Sequence, residues 1–467
     1  MLKLHNTKTR RKEQFDPLHE GRVDIYSCGP TVYDVPHIGN LRTFLFADIV
    51  ARYFKRRGLD VHNVMNITDV DDKTIRGSQD EGVSLGEYTQ KYTEYFMEDL
   101  EALRIEPAWK YPRATEHIEQ MIEVVSGLIE KGHAYEHNGS VYFDISSYPN
   151  YGKLSGVVPE EHESREFGRL DSDEYERDDA RDFVLWKASK EDEPSWESPW
   201  GAGRPGWHIE CTAMSIEYLG ETIDMHLGAV DLIFPHHENE IAQSEAYTGT
   251  EFVRYWVHPE HLIVEGEKMS KSKGNFFTLR DLLDEGYDPI AIRHLLLTAH
   301  YRRQLNFTME GLEQSAQALK RLHDFADRMA DVPEDAAGED LADEVAAALE
   351  KFDAALDDDL NVPGAMAAVF GLVREVNPLL AEGAVGGEGA RRVLEFFEDA
   401  DSVLGIIEHD GVAADETLDE EIDALIEERQ AARESGDYAR ADEIRDELLE
   451  QGIVIEDTAQ GPRWRRE

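Results

Sequence analysis

Three groups of residues in this 467-residue chain have the types and spacing that chemistry requires. The first is His37-Ile38-Gly39-Asn40, set where a strand-like segment gives way to a helical pattern. A helix N-terminus offers free N–H groups and the positive end of the helix dipole, which suits phosphate. Gly39 lets a flat base or a backbone approach closely, and His37 adds an imidazole donor. The second is Lys268-Met269-Ser270-Lys271-Ser272-Lys273-Gly274-Asn275, three lysines among small residues in a chain that has only 16 lysines. Mobile ammonium groups can follow the charge that develops when a triphosphate is cleaved. The third group is scattered: Cys28, then Cys211 after Trp207-His208-Ile209-Glu210, then Pro235-His236-His237-Glu238-Asn239-Glu240. If 236–247 is helical, His236 and Glu240 share a face. Two thiolates, an imidazole and a carboxylate are ligands that zinc accepts. The spacing leaves His237 and Glu238 open as ligands instead.

These residues need elements to position them. Residues 23–28 alternate like a short strand, broken by Gly29-Pro30. Ile38, Leu41, Leu45, Ile49 and Tyr53 predict a helix over 37–57, closed by Gly58. Val61, Val64 and Ile67 predict a second strand over 60–67. Strand, helix, strand is a βαβ unit, which builds parallel sheets with ligands at the carboxyl ends of the strands. Residues 88–131 read as mainly helical. Residues 139–205 carry Gly, Pro, Ser, Trp and acidic clusters with little period, and read as an insertion packed beside the sheet. Alternating helix and strand signals return over 206–264. From 309 to 406 the pattern is helical (Leu312, Ala316, Leu319, Leu322, Phe325; Met366, Val369, Leu372, Val373) with acidic or Gly-rich interruptions, which predicts an antiparallel bundle. Residues 408–417 read as a linker. The tail reads as two helices turning at Gly436, a strand near 452–456 and a basic end, Arg463-Trp464-Arg465-Arg466.

Composition bounds the rest. The length suggests roughly three domains at about 150 residues each, and 41% apolar residues make a globular chain. No run approaches 18 apolar residues, and the polar, basic start has no apolar signal core, so a cytoplasmic protein without membrane contact is expected. Two distant cysteines exclude a disulfide framework. Acids outnumber bases 98 to 48, a formal net charge of −50. Such self-repulsion falls away above molar salt, where the Debye length is about 3 Å, and this predicts a salt-rich cytoplasm. Residues 1–60 are nonetheless net +4 with 11 bases, while 331–467 are net −28. The basic start is expected to serve an anionic ligand.

His-Ile-Gly-x followed far downstream by Lys-Met-Ser-Lys-Ser resembles the signature of class I aminoacyl-tRNA synthetases. Within that class the chain resembles cysteinyl-tRNA synthetases. The matching stretches are Tyr26 to Asn40, Asn66 to Lys73, Gly206 to Met214, Asp231 to Gln243, Lys268 to Phe277, Asp357 to Asn361 and the tail through Trp464. The resemblance implies a Rossmann-like parallel-sheet catalytic domain with an insertion, then an all-α bundle and a small C-terminal α+β domain. Its divisions fall at 1–130 and 206–264 for the two catalytic halves, 131–205 for the insertion, 265–308 for the lysine loop and stem-contact region, 309–407 for the bundle and 408–467 for anticodon binding.

The implied activity is ATP-dependent conversion of L-cysteine to cysteinyl-adenylate, with Mg2+, then transfer to the 3′ end of cysteine tRNA by a monomer. It also implies one zinc ion per chain on Cys28, Cys211, His236 and Glu240, bound directly by the substrate thiolate. His37, Lys268 and Lys271 are the implied catalytic residues. His37, Asn40, Asp231 and Lys271 are implied at ATP, and Thr68, Trp207 and His208 at the amino acid. Asn40 departs from the family, which usually has histidine there, and the usual Gly-rich run appears as His226-Leu227-Gly228-Ala229-Val230. A cysteine ligase acting on a small amine would not need the helical and C-terminal parts. A non-catalytic tRNA-binding paralogue would tend to lose the lysine loop or a metal ligand, and both are intact. In so acidic a chain, tRNA recognition is expected to lean on Arg463 to Arg466, Arg429, Arg433 and stacking by Trp464. Removing residues 461–467 is therefore expected to raise the tRNA concentration needed for charging while adenylate formation stays intact; unchanged charging kinetics would contradict this.

Overall fold

The computed structural model describes residues 2–157, 182–270 and 274–407, helical positions 425, 426, 429, 432, 440, 441, 444, 445 and 448, and the strands at 453–458 and 461–466. Two compact units result, Met1–Ile407 and Glu408–Glu467.

An antiparallel hairpin, β1 (Lys3–Asn6) and β2 (Arg11–Gln14), opens the first unit. The βαβ unit follows as expected: β3 (Arg22–Ser27), α1 (Ile38–Arg56) and β4 (Asp60–Met65). Helices α2 (Asp72–Glu81), α3 (Leu85–Ala102) and α4 (Ile118–Glu130) come next. Residues 103–113 between them are not helical, contrary to the expectation over 88–131. The insertion is an antiparallel sheet in sequential order, β5 (Ala134–His137), β6 (Ser140–Phe143), β7 (Phe183–Ala188) and β8 (Gly203–Pro205). Its strands were illegible because Val141-Tyr142-Phe143 and Phe183-Val184-Leu185-Trp186 are buried on both faces and so do not alternate. Then come α5 (Trp207–Leu219), β9 (Ile223–Leu227), α6 (Glu238–Thr248) and β10 (Val253–Val257). The central sheet is parallel throughout, in the order β10-β9-β3-β4, with Tyr26 opposite His226 and Ser27 opposite both Leu227 and Met65. The carboxyl ends of β3, β4 and β9 thus lie side by side, where open α/β sheets bind ligands.

A short parallel pair, β11 (Leu262–Val264) and β12 (Leu305–Phe307), flanks the lysine loop, with α7 (Leu279–Asp284) and α8 (Pro289–Leu297) between them. The bundle is α9 (Met309–Ala330), α10 (Ala342–Asp357), α11 (Val362–Ala381) and α12 (Gly387–Leu404). Helix α11 is long and apolar enough to cross a membrane by composition, but Ala365, Met366, Val369, Leu372 and Val376 are buried in a core continuous with that of α1. In the second unit, Ile426, Ile444 and Leu448 pack together at helical positions. The basic end is a strand: β13 (Ile453–Thr458) and β14 (Gly461–Arg466) form a hairpin. The linker 408–417 and the turn at Gly436 lie outside the described residues.

The basic N-terminal segment has a different use from the one its charge suggested. Lys8, Lys12, Arg22, Arg52, Lys55, Arg56 and Arg57 each pair with a carboxylate of the protein, and Arg42 is buried on backbone carbonyls. Most of this positive charge ties the segment to acidic neighbours, because charge-assisted hydrogen bonds favour pairing a cation with the carboxylates that surround it.

His294, on α8, is buried edge-on to Phe370 of α11, and its Nδ1 has no hydrogen-bond partner among the described residues. Burial pushes its pKa down to about 4. The unfolded imidazole takes a proton below its ordinary value near 6.5, the folded one only near 4. The contribution is therefore whole above pH 6.5 and lost as pH falls toward 4, by about 3 kcal/mol at most. His294→Leu is expected to flatten the fall in denaturant midpoint between pH 6.5 and 4; an unchanged acid limb would refute this.

Candidate active site and metal cradle

Cys28 follows the last residue of β3, its N–H held by the Leu227 carbonyl at 3.0 Å. The chain then turns at Gly29, where a Cβ would stand 1.7 Å from the Asn66 carbonyl oxygen, so only glycine fits. Cys211 lies in the first turns of α5; His236 lies in the π-helical turn Ile233–His237 that leads into α6, so the helix expected from 236 begins at Glu238, and Glu240 lies in its first turn. All four are buried, and both cysteines are free thiols. Their donor atoms lie within 4.8 Å of one another: Cys211 Sγ is 3.5 Å from His236 Nε2, Cys28 Sγ 3.9 Å from Glu240 Oε1, and His236 Nε2 3.0 Å from Glu240 Oε1. A tetrahedral ion with bonds of about 2.0–2.3 Å separates its ligands by roughly 3.3–3.8 Å. The donor set therefore fits a zinc-sized cation with little adjustment.

Electrostatics agrees. Burial pushes the Cys28 thiol up, whereas the Cys28–Cys211 hydrogen bond brings Cys211 down to about 6. Burial opposes charge on His236, but Glu240 and Cys211 outweigh it and raise the imidazole to about 10. Burial likewise opposes charge on Glu240, and His226 and His236 outweigh it, holding the carboxyl near 2. The cradle gathers sulfur and oxygen donors of which Cys211 and Glu240 are shifted toward their anionic forms.

The surrounding residues orient the donors, as they do around metal ligands in general. His236 Nδ1 meets His208 Nδ1 at 2.9 Å, and Trp207 stacks on the His236 ring at 4.3 Å. Glu240 Oε2 accepts from His226 Nε2 at 2.8 Å. Glu238 is out of reach as a ligand, since its carboxylate accepts the N–H groups of Gly152, Leu154 and Ser155. His237 remains close: with Cys28, His226 and Glu240 it forms a second, overlapping set. Its Nε2 is 3.3 Å from Cys28 Sγ, and its Nδ1 is 2.8 Å from His258, which is in turn 2.7 Å from the Thr7 hydroxyl. The first set offers two sulfurs and the second only one.

On the phosphate side, His37 caps α1. Its Nδ1 accepts the Asn40 N–H at 3.1 Å, and its own N–H donates to Asn40 Oδ1 at 3.2 Å. Asn40 thus completes a capping box and presents its amide at the helix start. The end of the lysine loop is fastened here: Ile38 N–H donates to the Phe277 carbonyl at 3.0 Å, and the His37 ring meets Phe276 edge-on. Met269 lies over Gly39, where a Cβ would come within 2.9 Å of its methyl. Lys268 is exposed at the near end of the loop, and Asn275 closes its base through Ser270 N–H and the Lys268 carbonyl. Lys271 lies outside the described residues. Asp231 is exposed, and its charge acts on both His37 and Cys28. Thr68 is buried past β4 and donates to Glu210 at 2.7 Å.

Arg42 was not anticipated. Its guanidinium is buried and donates to the carbonyls of Glu260 (2.7 Å), His261 (3.1 Å), His300 (3.3 Å) and Arg303 (2.8 Å). These residues lead into β11 and β12, so α1 grips the strand entering the lysine loop as well as its exit. The signal was present: Arg42, Phe46 and Ile49 share a helical face, and a cation on an apolar face needs buried partners. His226 and His258 gave no such signal, because their partners come from other segments of the chain.

A model of the tRNA synthetase class I (C) catalytic domain matches residues 14–317, one of the DALR domain 351–408, and one of the cysteinyl-tRNA ligase anticodon binding domain 415–465. The cysteine–tRNA ligase of Solibacter usitatus is 48% identical over 467 residues, covering 100% of this chain and 99% of that protein. That of Brachyspira hyodysenteriae is 48% identical, covering 99% of each. Methionyl-tRNA synthetase of Mycobacterium tuberculosis with methionyl-adenylate shares the fold at a TM-score of 0.60 and 17% identity, covering 82% of this chain and 90% of that one. Fold and site define a class I aminoacyl-tRNA synthetase. Within that class the chain belongs to the cysteine–tRNA ligase family.

Arg42→Gln is expected to slow cysteine-dependent pyrophosphate exchange about ten- to a hundredfold, the scale of a loop displaced by an ångström, while zinc content stays at its wild-type level. Parallel loss of zinc and of thermal stability would instead make Arg42 a general packing residue.

Proposed function

We propose the following division of labour in cysteine–tRNA ligation. Cys28, Cys211, His236 and Glu240 hold one zinc ion. The observation that carries this is the burial of these four donors within 4.8 Å of one another beside the carboxyl ends of the sheet. Bound there, zinc supplies a soft Lewis acid that prefers a thiolate to an alcohol. Cysteine and serine differ by one atom, and shape alone separates such pairs by only about 1–3 kcal/mol, so sulfur-selective readout removes the need for editing. The overlapping set with His237 is the weaker alternative, because it has one sulfur.

Thr68, Trp207 and His208 line the amino-acid pocket. Their roles are supported by the Thr68–Glu210 hydrogen bond and by the packing of Trp207 and His208 on the His236 ring. His37, Asn40, Asp231 and Lys271 hold ATP with Mg2+. The cysteine carboxylate attacks the α-phosphorus and the bond to pyrophosphate breaks. His37, Lys268 and Lys271 stabilise the charge gathering on the leaving phosphates. A ribose hydroxyl at the tRNA 3′ end then attacks the cysteinyl carbonyl, and AMP leaves. Residues 309–407 and 408–467 extend along the tRNA, with 408–467 at the anticodon. The enzyme works as a monomer in a salt-rich cytoplasm, a reading supported by its net charge of −50.

The test is ATP–pyrophosphate exchange in molar KCl with cysteine and with serine, before and after zinc chelation, alongside metal analysis of His236→Ala and His237→Ala. Cysteine-only exchange that vanishes on chelation, with metal lost from His236→Ala and kept by His237→Ala, is the expected result. Exchange surviving complete zinc removal would sink the metal reading and leave the ligase; no exchange in any salt would favour the non-catalytic paralogue.

A further inference from the structure

Four residues before His37, Tyr33 is one of the few large apolar side chains left exposed, at 38% of its surface. Its backbone is pinned by hydrogen bonds at both its carbonyl and its N–H. The Tyr88 hydroxyl donates to the Tyr33 carbonyl at 2.7 Å, and it reaches that carbonyl only because Gly77 leaves room: a Cβ there would stand 2.2 Å from the hydroxyl. The Tyr33 N–H is held by the Thr31 carbonyl at 3.0 Å. The loop is also sewn to the segment carrying Thr68, through Val32 N–H to the Thr68 carbonyl and Thr68 N–H to the Pro30 carbonyl. Five residues beyond Thr68, the exposed Lys73 sets its ammonium 4.7 Å from the centre of the Tyr33 ring. Among the described residues no carboxylate pairs with Lys73, although acids outnumber bases two to one in this chain.

We propose that Tyr33 and Lys73 form the seat on which the single-stranded 3′ end of the tRNA stacks as it enters the active site. The ammonium lies over one face of the ring, so the opposite face and the cation match one base and one phosphate. This seat is far too small for a protein interface, which buries about 800 Å² on each partner. Base–aromatic stacking is indifferent to base identity and to salt, while the ammonium adds a salt-dependent phosphate contact. The seat lies on the two loops that carry His37 and Thr68, and the 3′ hydroxyl must come to that place to meet the activated amino acid. In a chain this acidic, stacking on a pre-set ring holds RNA where charge attraction is weak. The inference rests on the His37–Thr68 surface being the reaction centre.

Cysteine-dependent pyrophosphate exchange, which proceeds without RNA, tests that premise separately. Exchange and tRNA cysteinylation are measured for the wild-type enzyme, Tyr33→Ala, Tyr33→Phe and Lys73→Gln, with Trp109→Ala as an exposed aromatic elsewhere. The expected result is unchanged exchange throughout and a KM for tRNA raised about ten- to a hundredfold in Tyr33→Ala. Tyr33→Phe and Trp109→Ala should behave as wild type. The Tyr33→Ala defect should persist in molar KCl, and the smaller Lys73→Gln defect should shrink there. Exchange falling in step with charging would make Tyr33 part of adenylate formation or of folding, and unchanged charging would leave the ring without a role; either overturns the proposal.

Discussion

The buried ion pair between Asp48 and Arg293 is the joint on which the first unit depends. Both side chains are fully inaccessible, 2.8 Å apart. Such a pair is tolerable only if every remaining donor is satisfied. Here Arg293 also donates to the carbonyls of Leu404, Leu103 and Arg104, and Asp48 accepts from Arg52 and from Glu106 N–H. One guanidinium thus fastens the middle of α1 to the end of α3, to α8 and to the last residue of the bundle. Asp48 lies on the same helix that His37 caps and whose Arg42 grips the entry to the lysine loop. Further along α1, Arg56 bridges Asp353 of α10 and Asp399 of α12. The active site and the bundle are carried by one rigid rod, so displacement of either is felt by the other.

The metal cradle is built on the opposite principle. Around Arg293 every charge finds a protein partner, whereas Cys28, Cys211 and Glu240 gather sulfur and oxygen donors around two imidazoles, His226 and His236. The second layer is committed to aiming them: His208 behind His236, His226 behind Glu240, His258 behind His237. Donors already oriented by neighbours would lose little freedom on taking up a cation.

The acidity of the chain shapes both. With two acids for each base, most of the N-terminal cations are drawn into ion pairs within the protein, and the net charge of the molecule opposes binding of RNA.

What the sequence determined by itself was local. The 3.6-residue period over 37–57 and 309–406 became helices at those places, the βαβ unit was legible from 23–67, and His37, Cys28, Cys211 and the run from His236 to Glu240 could be singled out by residue type, while the particular ligand set and the place of Asn40 rested on the family resemblance. The insertion sheet was not legible, since strands buried on both faces lose alternation, and neither were the pairings of Arg42, Arg293, His226 and His258. Those depend on contacts 14 to 261 residues apart in the chain, and side-chain type alone does not say which distant carbonyl or imidazole will be the partner. Tertiary structure also separated Glu238 from Glu240, by spending the first carboxylate on three backbone N–H groups and placing the second among Cys28, His226 and His236.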